Sequence, residues 1–178
     1  MSYNPSISLT RATSNFLAVG PLKIPTIMSE LLGRPIEPLK EPVYLSGCEL
    51  VTVSDEETGM PQFTLHPVDY GEATLAQYHD LTPHELELIN RFCKVGEVNE
   101  ARLDITGFGG HTEHFLVHHI REGVPFVVFD FGSNVEKRRD AIYAETELIT
   151  MVNPHLDEYR AVARQLSDTP NLPPQSRK

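Results

Sequence analysis

Hydrophobic positions in residues 43–68 follow the period of a β-hairpin. Residues 43–53 and 62–68 are rich in β-branched and large apolar side chains. The polar turn 55–59 between them ends in Gly59, a residue suited to a positive φ. Gly47 interrupts the first segment and indicates a bulge. The pattern therefore predicts two adjacent antiparallel strands.

Three further strands are predicted between residues 99 and 131. Residues 99–106 alternate between apolar and polar, and residues 114–121 and 124–131 read as a second hairpin. Residues 126–131 are almost continuously apolar, which is typical of a central strand. The glycine-rich segment 107–110 has neither the GxxxxGK[ST] pattern nor a following helix start, so it predicts a connection between strands rather than a phosphate-binding loop.

Helix signals lie at four places. Thr82, Pro83 and Glu85 form a capping box ahead of a helix that is expected to run to Val95. Ser133 begins a second such pattern. A last helix is expected from residue 154, with one apolar face: Leu156, Tyr159, Val162, Ala163 and Leu166. A short helix also fits residues 26–32, ended by Gly33.

The order of these elements predicts an α+β fold. We expect a mostly antiparallel sheet of about five strands, two hairpins plus one strand, covered by two or three helices. Six of the 14 prolines fall in residues 1–42 and three in the last nine residues. Because proline disfavours regular structure around it, we expect an extended N-terminal arm over 1–42, a single core domain over 43–167 and a Pro-rich tail over 168–178.

The net charge of the chain limits the classes of partner that it is expected to bind. The chain has 15 basic and 25 acidic residues, a formal net charge of −10. This negative net charge argues against binding to nucleic acid.

No apolar run approaches the ~18 residues of a membrane span, and the N-terminus lacks the pattern of a secretory signal. Cys48 and Cys93 lie far apart, which predicts reduced thiols and a cytoplasmic protein when made, with its final location open if it joins a larger particle.

Four of the eight histidines fall within residues 111–119, and this cluster is the main chemical signal. His111, Glu113 and His114 are the candidates for acid–base catalysis. His111, His114, His118 and His66 are the candidate ligands of a divalent metal such as zinc. On a strand, however, His114 and His118 would lie about 13 Å apart, too far to share one ion. Histidines at a sheet surface or a subunit interface are the alternative interpretation.

Three functions remain open from the sequence. The first is a non-catalytic assembly or interaction protein, a subunit of a homo-oligomer or of a larger complex such as a virion, which uses its apolar N-terminal arm. The second is a small metal-dependent or acid–base enzyme with its site around residues 111–119. The third is an acidic inhibitor of another protein. Convergence of three candidate side chains within ~4 Å of one point would favour the enzyme.

Overall fold

A computed structural model describes residues 13–54, 59–93, 98–106, 110, 112–128 and 152–169. In this part of the chain, no helix combines the length and the hydropathy that a membrane span requires.

The described residues have mixed α and β content, as the sequence predicted. They form a curled sheet of six strands and three α-helices. The strands are β1 (Ser14–Ala18), β2 (Val43–Ser54), β3 (Pro61–Leu81), β4 (Val98–Thr106), β5 (Thr112–Ile120) and β6 (Val127–Val128). The helices are α1 (Pro25–Leu32), α2 (Pro83–Phe92) and α3 (Leu156–Ser167), with 3-10 turns at Gly20–Lys23 and Asn153–His155. The strand order across the sheet is β4-β5-β1-β3-β2-β6.

Strand β1 occupies the middle of the sheet. It pairs antiparallel with β3 and parallel with β5, where Asn15 lies opposite Phe115. Past the end of β1, β3 reaches β5 directly, with Leu65 opposite His119 in a parallel pairing. The sheet therefore contains both parallel and antiparallel pairs. Because β3 and β5 pair directly as well as through β1, the sheet is curled at this point.

The predicted N-terminal arm requires correction from residue 13 onward. Instead of an extended segment, residues 13–42 contain β1, a 3-10 turn and α1. Phe16, Leu17 and Ala18 are buried, and Ile27 and Leu31 are fully buried. Pro21 is the second residue of a 3-10 turn and Pro25 is the first residue of a helix. The missing N–H costs nothing at these positions, so both prolines are compatible with regular structure here. Residues 1–12, like the tail from residue 170, lie outside the described residues.

The predicted hairpin between residues 114–121 and 124–131 is also incorrect in the described part. Strand β5 pairs with β4 on one edge and with β1 on the other, so neither edge is open to residues 127–128. These residues form β6, which pairs with β2 instead, with Val51 opposite Val128. The apolar run that predicted a central strand thus lies at the edge of the sheet as far as residue 128.

The predicted hairpin of β2 and β3 is confirmed, with a bulge at Gly47. Ser46 lies opposite Glu72 and Cys48 opposite Pro67, so four residues of β3, 68–71, face a single residue of β2. Gly47 has a φ of 85°, and a Cβ on Gly71 would lie 2.2 Å from the carbonyl oxygen of Cys48. Both glycines are therefore required by this bulge. Strand β3 continues beyond the predicted end at residue 68, because pairing resumes after the bulge.

Local helix signals were reliable. Helix α2 has the predicted capping box, with Thr82 Oγ1 accepting from the Glu85 N–H at 3.2 Å and a Glu85 carboxylate oxygen accepting from the Thr82 N–H at 3.0 Å. Helix α1 ends at Gly33, and α3 buries Tyr159 and Ala163 as expected. The helix predicted from Ser133 lies outside the described residues.

The core has three parts. The largest packs the helices on one face of the sheet and includes Phe16, Met28, Tyr78, Ile89 and Tyr159. A second, inside the curl, joins Leu17, Cys48, Leu65, Leu75 and Phe115. A third and smaller cluster consists of Val51, Val53 and Ile120, with Val124 packed against it.

Candidate functional site

Two of the candidate catalytic residues lie on β5 at the exposed β4–β5 hairpin. His114 lies directly opposite Asp104, and its Nδ1 is 2.5 Å from an Asp104 carboxylate oxygen. Both side chains are mostly exposed, so the pair is surrounded by water. Glu113 is the preceding residue of the same strand and is half-buried. His111, the third candidate, lies outside the described residues.

His118 has a different environment four residues further along β5. Its side chain is buried, its Nε2 lies 2.9 Å from Asn90 Oδ1, and its ring centroid is 5.2 Å from that of Phe16. Burial, with a smaller effect of the neighbouring His119, lowers the pKa of His118 to about 4. The ring is therefore neutral near pH 7, with its Nε2–H donating to Asn90, and it is a packed element of the core.

His66, the fourth candidate ligand, lies on β3 directly opposite Glu49 of β2. Its Nδ1 is 3.1 Å from a Glu49 carboxylate oxygen, and its ring is 4.5 Å from that of Phe126. Each described histidine candidate thus has its own separate partners. Among the described residues, no group of three His, Cys, Asp or Glu side chains is arranged to hold a metal ion. A metal site that includes His111 stays a prediction.

The segment 121–126 connects β5 to β6 and packs over the smallest core cluster. Val124 contacts this cluster, and the Phe126 ring contacts His66. Thr64 is also buried, and its Oγ1 has no hydrogen-bond partner within the described part of the chain. The segment that leads into β6 is therefore attached to the sheet through Val124 and Phe126.

Three consecutive apolar side chains are exposed at this edge of the sheet. Phe126 is 38% exposed, Val127 69% and Val128 45%. We call these three residues the β6 patch. Within the described residues, β6 pairs only with β2, so its other edge has no neighbouring strand there. Exposed apolar residues in a contiguous set at a strand edge indicate a surface that binds something.

A groove of about 300 Å³ lies next to the β6 patch. It separates the paired ends of β2, β3 and β6 from the 3-10 turn before α3. Its lining residues are Thr52, Val53, Ser54, Gly59, Pro61, Val127, Pro154 and His155. One wall is fixed to the other because the Tyr159 hydroxyl donates to the Pro61 carbonyl oxygen. His155 is held in turn by Glu158, whose carboxylate lies 2.7 Å from its Nδ1.

Sequence reasoning did not find the β6 patch or its groove. The apolar run is visible in the sequence. Its exposure, however, depends on the strand with which it pairs, and residues 126–128 do not by themselves determine that strand. The groove combines residues separated by about 100 positions, such as Thr52 and His155. Among the lining residues of the groove, only Pro154 was marked by a sequence signal, because it lies at the start of a predicted helix.

Comparison with known proteins supports the fold and no more. No protein-family model and no curated protein matches the chain. A solution structure of At5g39720.1 from Arabidopsis thaliana is similar, with 14% identity, 82% of this chain and 92% of that chain covered, and a TM-score of 0.52. A solution structure of At3g28950.1 from the same plant has 13% identity, 100% and 99% coverage and a TM-score of 0.50. At these identities the likeness shows a shared fold.

Proposed function

We propose that this protein is a non-catalytic interaction protein that binds another protein at the edge of its sheet formed by β6. The observation that carries the proposal is the exposure of the β6 patch, three apolar residues in succession at a strand edge. An unpaired strand edge offers backbone N–H and C=O groups to an added strand, and apolar side chains add affinity when they are buried. The groove beside Val127 supplies a concave surface for such contacts.

The proposal keeps the interaction function expected from the sequence and moves its surface. Residues 13–42 are part of the protein's own sheet and helical layer, so this segment gives no support to assembly through an arm. The partner at β6 is either a different protein or a second copy in a homo-oligomer. We place the protein in the cytoplasm within the same proposal, because Cys48 and Cys93 are unbridged and such thiols suit a reducing compartment.

The test is a selection of peptides from a random display library against the whole chain. We expect an enriched family of extended peptides whose binding is lost in Val127→Pro, since proline removes an N–H and disrupts strand pairing. Leu39→Asn is the matched control because Leu39 is an exposed apolar residue outside the β6 patch. Failure to enrich any peptide, or equal binding to Val127→Pro with an unchanged circular dichroism spectrum, would overturn the proposal.

A second candidate function rests on the hydrogen-bonded pair of His114 and Asp104. A carboxylate that accepts from one ring nitrogen can orient histidine as a general base, and this pair has that contact. An acid–base enzyme would use His114, oriented by Asp104, as its general base, with His111 as a further candidate; Glu113 precedes His114 on β5 and faces the other side of the sheet. Assay of the whole chain against a panel of activated esters tests it. Turnover that is lost in His114→Asn supports this function, and absence of turnover in the wild type counts against it.

A further inference from the structure

We infer that the partner segment at β6 is an uncharged extended segment with a tyrosine side chain that enters the groove beside Val127. This inference rests on the proposed function and adds the chemical class of the partner. It follows from the charges at the groove, from its volume and from the hydrogen bond of His155.

The groove and the β6 patch contain no lysine, arginine, aspartate or glutamate. The two acidic residues after His155 have partners of their own, because Glu158 contacts His155 Nδ1 and Asp157 interacts with Arg160. The segment that leads into β6 begins with one basic and one acidic residue, at 121–122. A charged side chain in the groove would lose water against a lining that has no opposite charge. The complementary occupant is therefore uncharged.

The shape of the surface fits a strand with one aromatic anchor. A strand added to β6 would run beside Val127 and Val128, with alternate side chains on the same face. The groove adjoins Val127, and its volume of about 300 Å³ is at the lower end for ligand pockets, which suits a single aromatic side chain. Val53, Pro61 and Pro154 supply apolar walls for the ring.

His155 gives the groove a hydrogen-bond acceptor. Its Nδ1 lies 2.7 Å from a Glu158 carboxylate oxygen, so in the neutral ring the Nδ1–H donates to Glu158 and Nε2 is left as an acceptor. The side chain lines the groove and is 38% exposed. The hydroxyl of a tyrosine can donate to this nitrogen, whereas phenylalanine and leucine leave it without a donor. Tyrosine, which combines an apolar ring with a polar end, is also common among the anchors of interfaces.

The same requirement separates a different protein from a second copy. The β6 patch consists of Phe126, Val127 and Val128 and has no tyrosine. A second copy that pairs through its own β6 patch would therefore not supply the anchor. We accordingly assign the groove to a segment of a different protein.

The inference is tested with fluorescein-labelled peptides and the whole chain in fluorescence anisotropy. The main probe is Gln-Val-Gln-Tyr-Gln-Val-Gln, and matched probes replace its tyrosine by Phe, Leu, Lys or Glu. We expect the Tyr probe to bind about fivefold more tightly than the Phe probe, the effect of one neutral hydrogen bond. The Lys and Glu probes should both bind at least about tenfold more weakly than the Tyr probe. Raising the ionic strength from about 0.05 to about 0.5 M should change the affinity for the Tyr probe less than about twofold.

Two substitutions assign the preference to His155. His155→Phe keeps an aromatic ring but removes the acceptor, so it should weaken binding of the Tyr probe about fivefold and leave the Phe probe unchanged. His84→Phe, at an exposed position in the first turn of α2, is the matched control and should leave the affinity for both probes unchanged. Circular dichroism checks that each variant is folded. Val127→Pro should abolish binding of every probe.

The possible results separate this inference from the proposed function. If the Phe probe binds as tightly as the Tyr probe, or a charged probe binds best, while Val127→Pro abolishes binding, docking at β6 stands and the tyrosine anchor is overturned. If His155→Phe weakens the Tyr and Phe probes equally, the hydrogen bond to His155 is overturned. If no peptide binds and native mass spectrometry shows a dimer that Val127→Pro dissociates, the occupant is a second copy and the inference is overturned. If the peptides bind equally to Val127→Pro, both the inference and the proposed function fail.

Discussion

The hydroxyl of Tyr78 donates a hydrogen bond to the carbonyl oxygen of Leu22 at 2.7 Å. Tyr78 is fully buried on β3, and Leu22 lies in the 3-10 turn that follows β1. The bond therefore fixes the position at which the chain leaves the sheet to begin the helical layer. Burial, with a smaller contribution from Glu37, raises the pKa of Tyr78, so the phenol stays protonated and remains a donor.

Tyr78→Phe should lower the free energy of unfolding. The substitution leaves the Leu22 carbonyl without this donor while it keeps the packed ring, so we expect a loss of about 1–2 kcal/mol. Urea denaturation followed by circular dichroism measures it. Tyr70→Phe is the matched control, because Tyr70 lies on the same strand and is 99% exposed. A Tyr78→Phe variant as stable as the control would show that the hydrogen bond contributes nothing.

Glu85 should be the most sensitive polar residue of the helical layer. Its carboxylate caps α2 and binds Arg34 through contacts of 2.5 and 3.1 Å. Burial acts to raise the pKa of Glu85, but the bonds from Arg34 and the Thr82 N–H outweigh it, and the net shift is downward. We expect Glu85→Ala to cost about 2–3 kcal/mol and Arg34→Ala, at a more exposed position, about 1 kcal/mol.

Acid titration tests the same residue. Because the folded pKa of Glu85 lies below its ordinary value of 4.5, the stabilisation is present above pH 4.5 and is lost as pH falls through the folded pKa. Glu85→Gln should therefore differ most from the wild type near neutral pH and converge with it in acid. A constant difference at every pH would contradict the charge-based part of this account.

His118 should make the fold sensitive to mild acid. Its folded pKa of about 4 lies below the ordinary value of 6.5, so between these values the unfolded chain binds more protons. The free energy of unfolding should therefore fall as pH drops from 6.5 towards 4, by roughly 3 kcal/mol at most. Stability measured by urea denaturation across this range should be flatter in His118→Gln, whose amide retains a donor for Asn90. Leu39→Asn, which changes an exposed side chain that does not titrate, should keep the wild-type slope.

Arg160 and Glu30 should couple α3 to α1. Arg160 donates from Nε and Nη2 to the Glu30 carboxylate, with the shortest contact at 2.8 Å. Both side chains are partly exposed, so we expect a double-mutant cycle with alanine to give a small favourable coupling free energy, most of it lost at about 1 M salt. The Glu87–Arg91 pair within α2 is the comparison, with about 0.3–0.5 kcal/mol expected. A zero coupling for Arg160 and Glu30 would show that this ion pair does not help to hold the two helices together.

The parts of the fold that were predicted from the sequence are those marked by patterns within a few consecutive residues. The capping box at Thr82 and Glu85 lies within four residues, and the alternating apolar residues of β2 and β4 are visible within each strand. Strand β1 has no such signal, because its apolar residues Phe16, Leu17 and Ala18 are buried on both faces. Its identity as a strand depends on β3 and β5, which are distant in the sequence.

The candidate site was harder to predict for a related reason. His114 and His118 lie on one strand four residues apart, yet one is exposed beside Asp104 and the other is buried against Phe16. The difference arises because His118 contacts Asn90 of α2 and Phe16 of β1, whereas His114 has its contact with the exposed side chain of Asp104. Histidines that are close in the sequence therefore lie in different environments in the folded sheet.

The position of β1 also has a consequence for the order of folding. Asn15 pairs with Phe115, so the middle of the sheet closes only when segments 100 residues apart meet. During synthesis from the N-terminus, β1 can pair with β3 early but must wait for β5. Because the closing contact is so distant, we expect slow folding, with the edge of β1 that binds β5 exposed to other chains until the sheet is complete.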